Sequence, residues 1–426
     1  MSPLDIVILT NGPGEIVTWV RPVVKALRQK LDTDTSQVRI SVILSPCPHS
    51  TGKEAAIAIS YSEIDRVQSA QNFLPFLLWG KTADLWHWRK QGIVIFLGGD
   101  QFYTLVVGKR LGYQTLVYGE WDARWYRYLD AFAVMNSNVL QKVPSRYHHK
   151  FTVVGDLIAD IVLEVETNSP AKSHSITIAE NSRQVIGLLP GSKPAKLMQG
   201  IPLCLAIAEK LQHLKPELQF MIPVAPTINI NSLASYAQPE NNSLISQLGG
   251  VTGKLMKASN PEEDPYIITP QGTKIALITQ FPAYQHLLSC QLCVTTVGAN
   301  TAELGSLGIP MIVLLPTQQL DAMRSWDGIP GILANLPFLG TSFAKLINTL
   351  VIRQKRLFAW PNIWAKQEIV PELIGQLNPQ DIAIMINNYL NHPEKLQCMS
   401  NHLISVRGKH GAAEKIASIV KQQLST

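Results

Sequence analysis

One recurrence constrains this chain more than any other feature. Apolar runs of four to six residues are each followed by Gly, Pro, Asn or Asp and then by a helical pattern. In the first half they are Ile6–Leu9, Ile40–Leu44, Ile93–Leu97, Thr115–Tyr118, Ala131–Met135 and Phe151–Val154. The second half has Val185–Leu189, Phe220–Val224, Ile275–Thr279, Leu292–Thr296 and Met311–Leu315. Continuous runs, unlike alternating ones, mark strands covered on both faces, and so parallel sheets joined by helical crossovers. The 426 residues leave room for two or three such domains.

Between Glu164 and Ser182 the rhythm gives way to Thr, Asn, Ser, Pro and Lys, the composition of an interdomain linker. Each half opens alike, with a strand, a Gly/Pro turn (Asn11-Gly12-Pro13-Gly14; Pro190-Gly191-Ser192) and a helix. The predicted fold class is α/β: two Rossmann-like domains facing across a cleft, with a C-terminal helical tail. The domains are expected over 1–165 and 183–375, and the tail over 376–426, where it can cross back onto the first domain. Thr227 to Thr273 is a long polar stretch between two strands of the second domain. Such stretches serve as lids or as surface ornament, and ornament is the favoured expectation.

A net charge of +6, with ten His besides, favours phosphates or an anionic membrane surface as partners. The basic residues are not clustered as nucleic-acid binding requires. Five Cys, an odd number, do not make a disulfide framework and suit a reducing cytosol. Cys290 and Cys293 form a Cys-x-x-Cys without a second pair nearby, so they are expected as buried small hydrophobes, and no metal or cofactor is expected. The N-terminus runs directly into the Asp5–Thr10 strand, which predicts no signal peptide, and no apolar stretch is long enough to span a bilayer.

Two loops carry the chemistry of the second half. In Pro190-Gly191-Ser192-Lys193, Gly191 lets backbone approach a phosphate, Ser192 donates, and Lys193 supplies a charge. The plain alternative is an ordinary strand-to-helix turn with a solvated lysine. In the segment Gly298 to Glu303, Gly298 and Ala299 permit a tight turn, and Asn300 and Thr301 cap a helix while offering donors to a diphosphate. Glu303, one turn in, is placed to accept both hydroxyls of a ribose. A capping box serving only the helix is the alternative. Two phosphate-friendly loops in one domain favour a nucleotide-diphosphate pocket.

In the first half, Gly98-Gly99-Asp100 ends a strand, where a carboxylate suits a general base for an acceptor hydroxyl. Capping of the following helix is an equal alternative for Asp100. Gly14 and Glu15 form the matching turn after the first strand, with Glu15 facing an acceptor or starting its helix. From Phe73 to Lys90, the aromatic residues Phe76, Trp79, Trp86 and Trp88 alternate with Lys81, Arg89 and Lys90, a mixture suited to a membrane interface. The alternative is a core-facing helix with a solvated basic edge. His148-His149 is expected at the surface.

These residues, in this order, resemble the lipid-A-disaccharide synthase family, glycosyltransferases of the two-Rossmann GT-B type, and resemble a divergent branch of it. The likeness rests on Gly14-Glu15, Gly99-Asp100-Gln101-Phe102 with Lys109-Arg110-Leu111, Val153-Val154-Gly155 with Ala159-Asp160, and Leu188 to Lys193. It continues through Thr296 to Glu303, Trp360-Pro361-Asn362-Ile363 and Glu368 to Leu373. The chain departs from the family pattern at Ile16 to Trp19, at Gly155-Asp156-Leu157, and at Lys193, which stands where the family has arginine. The resemblance implies inverting, metal-independent transfer of an N-acetylglucosamine-type sugar from a UDP donor to a lipid-linked or acylated sugar. It would take place in the cytoplasm, peripherally on the inner membrane surface, and a homodimer is compatible with it. Asp100 would be the base, Lys193, Asn300 and Thr301 would neutralise UDP, and Glu303 would hold its ribose. A UDP-N-acetylglucosamine 2-epimerase-like enzyme is the alternative within enzymes, though no second carboxylate set stands out beyond Glu303. A non-catalytic sugar-nucleotide-binding or membrane-docking protein is the alternative outside them.

Overall fold

The computed structural model describes residues 3–31, 33–47, 50–163, 184–257, 263–316 and 357–425. The expected linker, Glu164 to Ser182, lies outside the described residues. The chain divides into two compact units: residues up to Pro170 together with Gly408–Thr426, and Ala171–Arg407.

Unit 1 is built on seven strands: β1 (Leu4–Thr10), β2 (Val38–Leu44), β3 (Arg66–Gln68), β4 (Gln91–Phe96), β5 (Gln114–Gly119), β6 (Ala131–Val134) and β7 (Phe151–Val153). Their order is β3-β2-β1-β4-β5-β6-β7, all parallel. All seven residues of β1 are buried. That double-sided burial is why the strand reads as an unbroken apolar run. The order reverses between β1 and β4, which puts the ligand-binding position of such a sheet beyond the carboxyl ends of those two strands.

Helix α1 (Arg21–Lys30) buries Val23, Val24 and Leu27 on the sheet. Helix α2 (Phe73–Trp79) buries Phe73 and Phe76 on the other face, beside Val94 and Val107. Helix α3 (Gln101–Leu111) follows β4.

Unit 2 has eight strands: β8 (Val185–Leu189), β9 (Gln219–Pro223), β10 (Lys254–Met256), β11 (Tyr266–Ile268), β12 (Lys274–Ile278), β13 (Cys290–Thr296), β14 (Met311–Pro316) and β15 (Glu372–Gly375). The order is β10-β11-β12-β9-β8-β13-β14-β15. The polar stretch Thr227 to Thr273, expected as ornament, instead adds β10 and β11 as an antiparallel extension of the sheet. Leu233, Leu248 and Ile267 anchor it in the interior; single apolar residues spaced through polar sequence leave no run to recognise. Helix α4 (Pro194–Leu214) follows β8 and α5 (Ala299–Ser306) follows β13. Helix α6 (Trp360–Ala365) precedes β15. Cys290 and Cys293 are buried free thiols of β13, as their apolar setting predicts.

The C-terminal segment divides between the units. Helices α7 (Pro379–Leu390) and α8 (Pro393–Val406) stay with unit 2, where Ile382 and Ile386 pack against α4 and Ser400 donates to the Gly308 carbonyl at 2.7 Å. Helix α9 (Ala412–Leu424) joins unit 1, burying Ile416 and Val420 with the apolar face of α1. Its amino end is capped from a distance. The Asp160 carboxylate accepts from the N–H groups of Gly411, Ala412 and Ala413, and Lys415 donates to the Val154 carbonyl at 2.9 Å. Three backbone donors at one carboxylate satisfy most of a helix start, which explains the placement of Asp160 in its motif.

Candidate active site

In unit 2, the two loops predicted from sequence lie side by side because β8 and β13 are neighbouring parallel strands. Gly191 has a left-handed φ of +101°, and a Cβ there would sit 2.8 Å from the Cβ of Lys196 and 3.2 Å from Thr296 Oγ1. Gly298 has φ +154°, and a Cβ there would sit 3.0 Å from Lys196 Nζ. The side chain of Lys196 therefore threads between two glycine turns. Its ammonium donates to the carbonyl of Val297. Burial, and then the neighbouring charge of Lys193, push it down to about 8. Lys193 is half-buried at the N-cap position of α4, followed by Pro194 in the first turn. Ser192 is half-buried in the same turn.

The second loop differs from expectation in how its helix begins. Gly298 occupies the N-cap of α5 without a side-chain cap, and neither Asn300 nor Thr301 serves that role. Thr301 is fully buried; its hydroxyl donates to the Gly298 carbonyl at 2.8 Å and accepts from the Trp360 N–H at 3.2 Å. It is a tie between two chain segments and has no face to offer a diphosphate. Ala299 is exposed and Asn300 half-buried in the first turn, where the backbone N–H groups are unpaired by the helix itself. Glu303 is pushed up to about 7 by burial. Thr296 Oγ1 is buried without a hydrogen-bond partner among the described residues.

Behind these loops, buried Asn362 accepts from Ile369 N–H at 2.7 Å and Val370 N–H at 2.9 Å, and donates to Glu372 Oε1 at 2.7 Å. Glu372 in turn accepts from the N–H groups of Phe358 and Ala359. The Pro-Asn-Ile and Glu368-to-Leu373 motifs thus share one network that fixes α6 against β15. Through the Trp360 contact, that network also braces the α5 loop.

In unit 1, the ends of β1, β2 and β4 converge. The Glu15 side chain folds back over Gly12, and its Cγ would be 3.3 Å from a Cβ at Gly98; Ser45 Oγ would be 2.7 Å from one at Gly99. Gly14 lies in the short helical turn Pro13–Glu15, its carbonyl accepting from Thr18 at 3.0 Å. Asp100 caps α3, with Oδ1 accepting from Phe102 N–H at 2.9 Å and lying 3.8 Å from an Arg124 nitrogen. Its Oδ2 has no protein partner among the described residues, so capping and proton acceptance do not compete for the same oxygen.

Two further groups at these strand ends escaped the sequence reading. Glu120, just after β5, is pushed up to about 8 by burial and then by the charge of Asp156. Asp156, after β7, is raised to about 6 by burial; one oxygen accepts from Ile158 N–H at 2.9 Å and the other is buried without a partner. Glu15 adds to the charge felt by Glu120. A second carboxylate set beyond Glu303 therefore exists, assembled from three separated strand ends. Among the described residues no group of His, Cys, Asp and Glu is arranged to hold a metal ion.

The aromatic segment is divided between interior and surface. Phe76 is fully buried, and Trp86 and Trp88 face the Arg66 guanidinium at 4.1 and 4.7 Å from their ring centres. All three make packing contacts, Phe76 in the core and half-buried Trp86 and Trp88 on the guanidinium. Arg89 donates to the carbonyls of Leu4, Gln37 and Thr35 and is structural as well. Trp79 alone of the four is well exposed, at 66%, with Leu74, Leu78 and Leu85 also outward. His148 bonds the Val143 carbonyl at 2.8 Å and His149 is exposed.

No family model matches the chain. Among curated proteins it is similar to the lipid-A-disaccharide synthase of Sulfurihydrogenibium sp. (strain YO3AOP1), 25% identical over 279 residues, 65% of this chain and 60% of that protein. The enzyme of the same name from Persephonella marina is 25% identical over 273 residues, 63% of this chain and 58% of that one. The chain thus spans no more than about three-fifths of the length of these relatives. Among solved structures, the S. aureus MnaA-UDP co-structure matches with a TM-score of 0.53 at 13% identity, covering 100% of this chain and 97% of that one. A candidate UDP-N-acetylglucosamine 2-epimerase of Listeria monocytogenes matches with a TM-score of 0.50 at 12% identity, covering 99% and 97%. The fold is therefore the two-domain α/β architecture of the GT-B class, and in sequence the chain is similar, at about a quarter identity, to lipid-A-disaccharide synthases.

Proposed function

We propose that the chain is a glycosyltransferase that moves a sugar of the N-acetylglucosamine type from a UDP donor to a lipid-linked or acylated sugar, with inversion. The observation that carries this reading is Lys196 threaded between the two glycine turns of unit 2. A partly desolvated ammonium beside the Ala299 and Asn300 N–H groups of a helix start is a prepared seat for a leaving diphosphate, and it supplies from protein the positive charge this chemistry needs. Similarity to the lipid-A-disaccharide synthases supports the donor and acceptor classes.

In the proposed step, an acceptor hydroxyl oxygen forms a bond to the anomeric carbon as the bond from that carbon to the UDP oxygen breaks. The electron pair leaves with UDP, whose charge is met by Lys193, Lys196 and the first-turn N–H groups of α5. The hydroxyl proton passes to Asp100 Oδ2. Glu303, ionised above about 7, accepts from the ribose hydroxyls. Trp79 with Leu74, Leu78 and Leu85 would rest on the membrane from which the acceptor is drawn; no helix among the described residues is long and apolar enough to cross one.

Release of UDP from a panel of UDP-sugars, with and without lipid extract, tests the reading. Release that depends on both one donor and lipid, and is lost in Asp100→Asn, is the expected result. The carboxylates Glu15, Glu120 and Asp156 favour one second reading, epimerisation at C2 of a UDP-sugar. Conversion of UDP-N-acetylglucosamine without lipid, abolished by Glu120→Gln and not by Asp100→Asn, would decide for it.

A further inference from the structure

Cys290 and Cys293, expected from sequence as buried small hydrophobes, meet in a way that their spacing alone does not imply. Both lie on β13, where residues three apart ordinarily point to opposite faces. The ladder to β8 is irregular at this place. Cys290 stands opposite Val185 and Cys293 opposite Gly187, so three steps along β13 match two along β8. The β-bulge between Cys290 and Leu292 thus turns both thiols to one face. Two strand steps put their Cα atoms about 6.6 Å apart, within the reach of a disulfide.

Gly187 makes room for the pair. A Cβ there would sit 2.6 Å from Cys293 Sγ and 3.2 Å from Cys290 Sγ, so the two sulfurs share the space of one absent side chain. Cys293 is fully buried, and contact with Cys290, then burial, hold its thiol well above the ordinary value. The proton of the pair therefore stays on Cys293. Cys290 is 7% exposed at the start of the strand, and its thiol donates to the His286 carbonyl at 3.6 Å. Of the two sulfurs, it is the one that a small solute reaches.

We propose that Cys290 and Cys293 are a redox modification site, which hydrogen peroxide converts to a disulfide and a small dithiol reduces again. The Cys290 thiolate attacks one peroxide oxygen. An S–O bond forms, the O–O bond breaks, and the other oxygen leaves with the electron pair and is protonated to water. The Cys293 sulfur then attacks the resulting sulfenic acid. The S–S bond forms, the S–O bond breaks, and the departing hydroxide takes up the Cys293 proton. Two thiols thereby lose two electrons and two protons, and the peroxide becomes two waters. A bulky disulfide reagent is excluded, because only an edge of Cys290 reaches the surface, and it is left to exposed Cys398. The site stands whether or not the chain is a glycosyltransferase.

Mass spectrometry of the folded, reduced full chain after brief treatment with hydrogen peroxide tests it. In wild-type protein the peptide that holds both cysteines is expected to become lighter by two hydrogens, and dithiothreitol should return both thiols. In Cys293→Ala, a cyclic diketone that traps sulfenic acids should label Cys290 at least about tenfold more than it labels Cys293 in Cys290→Ala. A bulky aromatic disulfide should modify Cys398 at least about tenfold faster than Cys290. A wild-type chain that keeps both β13 thiols reduced while Cys398 is oxidised would overturn the site. So would sulfenic acid trapped on Cys293 and not on Cys290. The wild-type measurement needs no variant, so a substitution that fails to fold does not shield the proposal.

Discussion

In unit 2 half-buried Lys196 lies between two glycine turns; in unit 1 three carboxylates, Glu15, Glu120 and Asp156, gather at the ends of three strands. Both units use the carboxyl ends of a parallel sheet, yet they prepare opposite charges. Burial pushes the lysine down to about 8 and the glutamate up to about 8, so near neutrality one side keeps a cation and the other keeps protons. Under the proposed function, one sheet end meets the departing anion, and at the other Asp100 takes the hydroxyl proton beside these carboxyls. The difference also shows in rigidity. The unit 2 loops are tied by Thr301 and braced by the Asn362–Glu372 network, whereas the Asp100 carboxylate keeps one oxygen open.

Removing the open oxygen's charge should have the largest effect. Asp100→Asn retains an acceptor for Phe102 N–H but cannot take a proton, so transfer should fall by about 10² to 10⁴ while UDP affinity stays unchanged. Steady-state UDP release and UDP calorimetry on the same variant separate the two; a loss of UDP affinity instead would break the assignment of the two units to different tasks. Next is the brace. Asn362→Ala leaves the Ile369 and Val370 N–H groups without their acceptor and should cost about 2 to 3 kcal/mol in chemical denaturation. If it unfolds at the wild-type midpoint, the network is not what holds α6.

Lys196→Met sharpens the contrast further. An ammonium brought from its ordinary value to about 8 by burial opposes folding near neutral pH, so its removal should leave stability equal or up to about 2 kcal/mol higher. UDP affinity should nevertheless fall about tenfold or more. A variant that binds UDP as wild type does would show that this lysine serves the fold alone.

The pH profile of UDP binding should be bell-shaped. Glu303 accepts ribose hydroxyls only when ionised, so affinity rises as pH passes about 7; Lys196 attracts the diphosphate only when protonated, so affinity falls as pH passes about 8. Lys196→Met should lose the alkaline limb and keep the acidic one. The smallest effect belongs to the surface. Trp79→Ser should change stability by less than about 0.5 kcal/mol while reducing co-sedimentation with anionic vesicles; unchanged sedimentation would remove Trp79 from any membrane contact.

The strands that position these sites were legible because burial on both faces writes itself as an apolar run, as in Ile6–Leu9 and Val185–Leu189. The strands that were not, β3, β10, β11 and β15, have only three or four residues and lie at or next to the edges of their sheets. Glycine turns after β8 and β13 were legible as turns, yet Lys196 between them did not stand out. A lysine in the first turn of a helix runs against the helix dipole, and that anomaly was the available signal. Glu120 and Asp156 were invisible for a different reason. They feel each other only because the ends of β5 and β7 lie in one sheet, a relation between separated segments that no local pattern records. Thr301 was misread because a threonine near a helix start looks like a cap, while its actual partner, Trp360, lies in a distant segment.

A crystal structure of the protein with UDP tests the central claim most directly. The account predicts the diphosphate on the Gly191 and Gly298 turns, within hydrogen-bond distance of Lys196 Nζ and the first-turn N–H groups of α5, with Glu303 on the ribose. A nucleotide bound away from those turns, or a diphosphate that leaves Lys196 on the Val297 carbonyl with no new contact, would contradict it.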